Sequence, residues 1–175
     1  LAFSVLLTLD APSDAAVNAL AGELLGSNVG AGIVWSRPHI SLAISETLDV
    51  EAFLPELREI ASAYTPQRCA MSSLGFFPGA KRVCFLAPIV TQSLIDLHRA
   101  VDERFARHAT RVDGNYRPPK WVPHCTLAMG LDSEAMGPVL DAYARLAMPL
   151  EGRFEQLELV EFVPVKVLET LLLGA

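Results

Sequence analysis

One six-residue string occurs twice in this chain, at matching places in a repeated order of elements. Pro38-His39-Ile40-Ser41-Leu42-Ala43 and Pro123-His124-Cys125-Thr126-Leu127-Ala128 both read Pro-His-x-[Ser/Thr]-Leu-Ala. Around the first copy, apolar patterning predicts a strand over Phe3 to Leu9, a helix over Pro12 to Leu25, and a break in the glycine-rich stretch Gly26 to Gly32. A strand over His39 to Ile44, a helix from Asp49 to Tyr64 and a strand over Cys69 to Phe77 follow. Pro78-Gly79-Ala80 then turns the chain, and the order repeats. The second half has a strand over Val83 to Ile89 and a helix capped by Thr91, with Leu94, Leu97, Val101 and Phe105 on one face. A polar loop from Ala109 to Pro123 leads to a strand over His124 to Met129 and a helix over Ser133 to Leu146. Strands over Arg153 to Phe162 and Lys166 to Leu172 close the chain.

Alternating strands and helices would suit a doubly wound parallel sheet, but no glycine-rich phosphate turn follows the first strand. The duplicated order instead predicts an α+β fold with two lobes related by a pseudo-twofold axis. Each lobe is expected to be a mostly antiparallel sheet with outer helices, formed from halves of about 1–80 and 81–175, with a cleft between them. The 175 residues, 51% hydrophobic, suffice for one domain with its own core. Cys69, Cys84 and Cys125 are odd in number and lack paired spacing, so neither a disulfide framework nor a zinc site is expected, and a reducing cytoplasm is the expected location. The apolar opening runs into a helix start, and the Leu171-Leu172-Leu173 run is too short to span a bilayer, so a soluble protein with no membrane partner is expected. A formal charge of −6 has the wrong sign for gripping a long duplex through its phosphates. Any nucleic-acid substrate is expected to be met locally, at an RNA end or as a small nucleotide, and a monomer is the expected state.

Side chains alternate along a strand, so His39 and Ser41 share one face and His124 and Thr126 another, while Ile40, Leu42, Cys125 and Leu127 turn inward. Two imidazoles and two hydroxyls would meet at the pseudo-twofold axis, a set suited to a phosphate. Near neutral pH one imidazole can act as base and the other as acid, while neutral hydroxyls hold the nonbridging oxygens.

On these residues the chain resembles the two-histidine (2H) phosphoesterase superfamily, close to the bacterial 2′-5′ RNA ligase and RNA 2′,3′-cyclic phosphodiesterase group. The likeness extends over nearly the whole chain, through Leu74-Gly75-Phe76-Phe77-Pro78, Arg82-Val83-Cys84-Phe85-Leu86 and Leu94-Ile95-Asp96-Leu97-His98. It implies catalytic His39 and His124, phosphate-binding Ser41 and Thr126, and no metal or organic cofactor. It also implies hydrolysis of a 2′,3′-cyclic phosphate to a 2′-phosphate, with His124 as base and His39 as acid, and a reverse reaction forming 2′-5′ RNA linkages. The chain departs from many ligase-like relatives by having Ala128-Met129-Gly130, with no basic residue, soon after the second motif. The alternatives are a phosphodiesterase for another small nucleotide, such as ADP-ribose cyclic phosphate or 2′-5′ oligoadenylate, and a nucleotide- or RNA-binding module with little turnover.

Arg111, Asn115, Tyr116, Arg117, Lys120 and Trp121 in the polar loop combine charge with aromatic faces and are candidate substrate contacts. Arg37, Lys81 and Arg82 are further candidates for reaching phosphate. His98 and His108 lie on the third helix, and neither has a catalytic pattern around it. Period two turns Cys125 away from His124, which leaves it a poor nucleophile candidate.

Overall fold

The computed structural model describes residues 2–26, 37–162 and 164–175. Among the described residues, eight strands and four α-helices follow in the order β1 (Ala2–Leu9), α1 (Ala11–Leu25), β2 (His39–Leu48), α2 (Val50–Ala63), β3 (Gln67–Phe77), β4 (Val83–Pro88), α3 (Gln92–His108), β5 (Ala109–Val112), β6 (Cys125–Ala128), α4 (Ser133–Tyr143), β7 (Leu150–Phe162) and β8 (Lys166–Leu172), with a 3₁₀ turn at Gly114–Tyr116 between β5 and β6. The break predicted over Gly26 to Gly32 lies, beyond Gly26, outside the described residues. The helices begin where short polar side chains cover their first free amides. Asp10 accepts from Ser13 N, Asp49 from Ala52 N and Thr91 from Leu94 N. Each such cap contributes about 1 kcal/mol.

Among the described residues every strand pairing is antiparallel, in the order β5-β2-β1-β7-β3-β4-β6, with β8 also on β7. The fold is the expected α+β type, with two differences in assembly. First, the two lobes share one hydrogen-bonded network, because β7 is longer than its apolar run suggests. Its start, Leu150 to Phe154, pairs with β3, and Phe154 to Phe162 pairs with β1. Second, each lobe draws on both halves of the chain. One lobe combines β1 and β2 with the second part of β7, and carries α2 packed on α3; the other combines β4 and β6 with β3, and carries α1 packed on α4. In each lobe the third strand and one helix come from the opposite half. The crossed arrangement still obeys the pseudo-twofold, since β1, α1, β2, α2 and β3 correspond in order to β4, α3, β6, α4 and β7.

The loop predicted from Ala109 to Pro123 contains β5, which pairs with β2 from Ser45 to Leu48. Its Ala-Thr-Arg-Val sequence is too short and too polar to carry a periodic signal. The core is continuous beneath both lobes. Phe53 of α2 meets Phe105 of α3 edge-on at 5.3 Å, both fully buried, and each such burial is worth roughly 1.5–3 kcal/mol. No helix of the described residues is long and apolar enough to cross a membrane.

Candidate active site

β2 and β6 approach each other across the lobe boundary without sharing a ladder, and the Cys125 thiol meets the backbone of His39. Outward from this seam opens a cavity of about 680 Å³. His39, Ser41, His124 and Thr126 all line it, so the two copies of the motif converge as their alternation predicts. Ile40, Leu42, Cys125 and Leu127 are buried behind them.

The two histidines are oriented in the same way. His39 Nδ1 bonds the carbonyl of Arg37 at 2.7 Å, and His124 Nδ1 bonds the carbonyl of Val122 at 2.8 Å. A carbonyl only accepts, so Nδ1 carries the proton in both rings, and Nε2 is the nitrogen that gains or loses a proton. The intervening proline accounts for this geometry. Pro38 and Pro123, both buried, hold the preceding residue in an extended conformation, and its carbonyl reaches the ring two residues on. Burial pushes the His39 pKa below its ordinary value. The Arg37 carbonyl opposes that shift, while nearby His124 and Arg37 add to it. Burial also lowers His124, against the pull of the Val122 carbonyl. Unliganded, both rings therefore favour the neutral form more than free imidazole does.

Phe77 and Phe85 form an apolar floor beside His124. They stack on each other at 4.3 Å, and Phe77 meets the His124 ring edge-on at 4.8 Å. Phe85 pairs with Thr126 on one side and Gly75 on the other. A Cβ at Gly75 would run into the Phe85 ring, which explains the glycine there.

The sequence-proposed contacts divide into two groups. Tyr116, Lys120, Asn115 and Lys81 line the cavity. Arg37, Arg117 and Trp121 do not, and are engaged elsewhere. Arg37 donates to Asp14 (3.0 Å), Glu158 (2.5 Å), Gln156 (3.1 Å) and the Leu9 carbonyl (2.8 Å), which anchors the residue whose carbonyl orients His39. Arg117 pairs with the buried carboxylate of Asp102 at 2.9 Å. The Trp121 indole N–H bonds the Ser41 carbonyl at 3.0 Å, and its ring stacks on His98 at 3.8 Å. These three side chains could not be told from substrate contacts in the sequence, because their carboxylate and ring partners come from distant segments. Arg111 pairs with Glu46 at 2.6 Å and Arg82 with Asp132 at 3.4 Å, both at the surface. His98 is buried and bonds the Tyr116 carbonyl at 2.8 Å, and His108 bonds Glu56 at 2.8 Å. Cys125 is buried with its pKa pushed up to about 12 by that burial, which is unfit for a nucleophile.

Sequence reasoning missed Asp113, Met129 and Phe162, which also line the cavity. Only tertiary placement reveals them, Asp113 following β5, Met129 following β6 and Phe162 ending β7. Among the described residues no three His, Cys, Asp or Glu side chains gather as a metal-binding group.

The family model of the 2′-5′ RNA ligase superfamily matches residues 10–164. The chain belongs to that superfamily. Membership supports a phosphoesterase or RNA-ligase-like activity. Among solved structures, the superfamily fold recurs in TT0787 of Thermus thermophilus, with TM-score 0.66, 19% identity and coverage of 100% of this chain and 99% of that one. E. coli LigT complexed with 3′-AMP matches with TM-score 0.68, 16% identity and coverage of 99% and 98%. Usb1 of Kluyveromyces marxianus matches more distantly, with TM-score 0.53, 12% identity and coverage of 98% of both chains. Among curated proteins no sequence matches.

Proposed function

We propose that this superfamily member is a metal-independent cyclic phosphodiesterase, opening 2′,3′-cyclic phosphates at RNA ends or on nucleotides. The observation that carries the reading is the pair of histidines, each with Nδ1 tied to a carbonyl so that Nε2 does the chemistry, lining one cavity with two hydroxyls. His124 Nε2 takes a proton from water as the water oxygen bonds to phosphorus. His39 Nε2–H delivers a proton to the ribose 3′ oxygen as its bond to phosphorus breaks, leaving a 2′-phosphate. Ser41 and Thr126 donate to the nonbridging oxygens and hold the group for in-line attack. A bound phosphate anion raises both imidazole pKa values, offsetting the burial that lowers them in the free protein. With an RNA 5′-hydroxyl attacking in place of water, the same course forms a 2′-5′ linkage.

LigT, which shares the fold, has been crystallised with 3′-AMP, NADP+, ATP and phosphate, and this breadth supports a nucleotide as the ligand class here too. The alternative, hydrolysis of another small phosphodiester such as ADP-ribose cyclic phosphate or 2′-5′ oligoadenylate, draws on the acidic net charge and a cavity much larger than one phosphate. The deciding experiment compares nucleoside 2′,3′-cyclic monophosphates with a short RNA ending in a cyclic phosphate, in EDTA, with product isomers identified. We expect 2′-phosphate formation that falls by about 10²–10⁴ in His39→Ala and in His124→Ala. No turnover of either substrate would overturn the assignment.

A further inference from the structure

Part of the cavity wall is a short polar turn tied to the rest of the protein by several hydrogen bonds. Asp113 N donates to the Ile44 carbonyl of β2 at 2.9 Å, and Tyr116 N donates to the Asp113 carbonyl at 3.1 Å. Beneath the turn, buried His98 bonds the Tyr116 carbonyl, buried Asp102 takes the Arg117 guanidinium, and Trp121 ties the far end to Ser41. Two buried polar side chains and an indole thus fix a loop that presents Asp113, Asn115 and Tyr116 to the cavity. Such support pre-organises a binding surface, because the ordering cost falls in folding and not in ligand capture.

Asp113 is out of place in a cavity suited to phosphate. A carboxylate repels the anion, so the part of the ligand facing it must be neutral and rich in N–H donors. One of its oxygens, Oδ1, accepts from Asn115 N at 2.9 Å; a carboxylate has further lone pairs on both oxygens to accept with. Asn115 beside it offers an amide N–H₂. Together the pair can offer acceptor, acceptor, donor to a ligand in the cavity. A guanine Watson–Crick edge displays the complement, N1–H and N2–H₂ as donors and O6 as acceptor. Uracil offers a single N–H flanked by two carbonyls, which would meet the carboxylate oxygens in repulsion.

We propose that Asp113 and Asn115 form a base-reading subsite that selects guanine in the nucleotide whose phosphate lies at the two histidines. The proposal takes its ligand class from the nucleotide reading above and adds a base preference to it. Sites built to hydrogen-bond a substrate N–H reject analogues lacking it more strongly than apolar pockets reject a missing methylene.

The test measures kcat/KM on guanosine, inosine, adenosine, cytidine and uridine 2′,3′-cyclic monophosphates, together with calorimetric Kd values for 2′-GMP and 2′-UMP, which need no turnover. Guanosine should exceed uridine by about 10- to 100-fold, with inosine, lacking the N2 amine, in between. Asp113→Asn keeps the side-chain oxygen that caps the turn and should shrink the guanosine-to-uridine ratio to within about threefold, chiefly through KM. Asn115→Ala should shrink it in the same direction. Equal service of all bases by the wild type, or an unchanged ranking in Asp113→Asn, overturns the subsite. If no cyclic phosphate turns over yet 2′-GMP binds at least tenfold tighter than 2′-UMP and Asp113→Asn removes the difference, the subsite stands and the hydrolytic assignment falls alone.

Discussion

Two residue-level arrangements decide what the cavity can do. The Nδ1–carbonyl bonds at His39 and His124 make Nε2 the working atom, and burial lowers both pKa values. On the proposed reaction, general acid–base catalysis by the pair gives a bell-shaped kcat/KM profile. Because both free-protein values lie below the ordinary 6.5, its maximum should fall on the acid side of 6.5. The kcat profile, which reports the substrate complex, should shift toward higher pH as the bound phosphate stabilises the protonated rings. Initial rates across about pH 4.5–8.5 at low and saturating substrate separate the two, and coincident profiles would contradict the phosphate effect. Gly75 makes a second residue-scale prediction. Gly75→Ala drives the Phe85 ring from the floor on which His124 rests. Overpacking of this kind costs about 1–3 kcal/mol, and displacement of a catalytic group costs up to about 10²-fold in rate. We expect kcat to drop about tenfold or more with the far-UV spectrum retained, and Gly75→Ala at wild-type kcat would contradict the role of that floor.

At the scale of elements, helix α3 supports the polar turn that lines the cavity. Its buried Leu94, Leu97, Val101 and Phe105 face the core as the sequence pattern predicts, but His98 and Asp102 point from the same helix into the polar loop. They join the loop to α3, as the strand ladder joins β5 to β2. His98→Phe keeps a ring against Trp121 and leaves the Tyr116 carbonyl without its donor, which costs about 1–3 kcal/mol. Chemical denaturation should register that loss, and KM should rise several-fold while kcat changes little. A fall in kcat with KM unchanged would move His98 from the loop's support to the reaction itself. Helix α3 shows what its sequence could and could not disclose. Its apolar face repeats at a helical period and is legible, whereas a histidine next to that face has no period, and only its partners reveal its task.

For the whole molecule, three of the four histidines, His39, His98 and His124, have pKa values lowered mainly by burial. In the window between each folded value and the ordinary 6.5, the unfolded chain binds more protons than the folded one, so stability rises with pH. It is fully present above about 6.5 and is lost as pH falls through the folded values. Thermal unfolding between about pH 7.5 and 5 should show Tm falling with acidification. The fall should be shallower in the His39→Ala/His124→Ala double variant, and inorganic phosphate should raise Tm more at about pH 5 than at about pH 7.5, since the anion binds the protonated pair. A Tm independent of pH across that range would contradict the lowered values.

The sequence by itself determined the duplicated order of elements, the α+β class and the four residues that converge in the cleft. These follow from local rules: apolar periodicity, a cap at Thr91, and alternation that puts His39 with Ser41 and His124 with Thr126. Tertiary structure decided how the halves combine, because strand pairing depends on which edges meet, and β7 meets both β1 and β3. It also sorted the polar side chains. Arg37, Arg117 and Trp121 have the same chemical character as Lys81, Lys120 and Tyr116, but partners far along the chain, Glu158, Asp102 and the Ser41 carbonyl, draw them away from the cavity. A charged or aromatic side chain acts on whatever lies within a few ångströms of it, and for residues distant in sequence that neighbourhood exists only once the chain has folded.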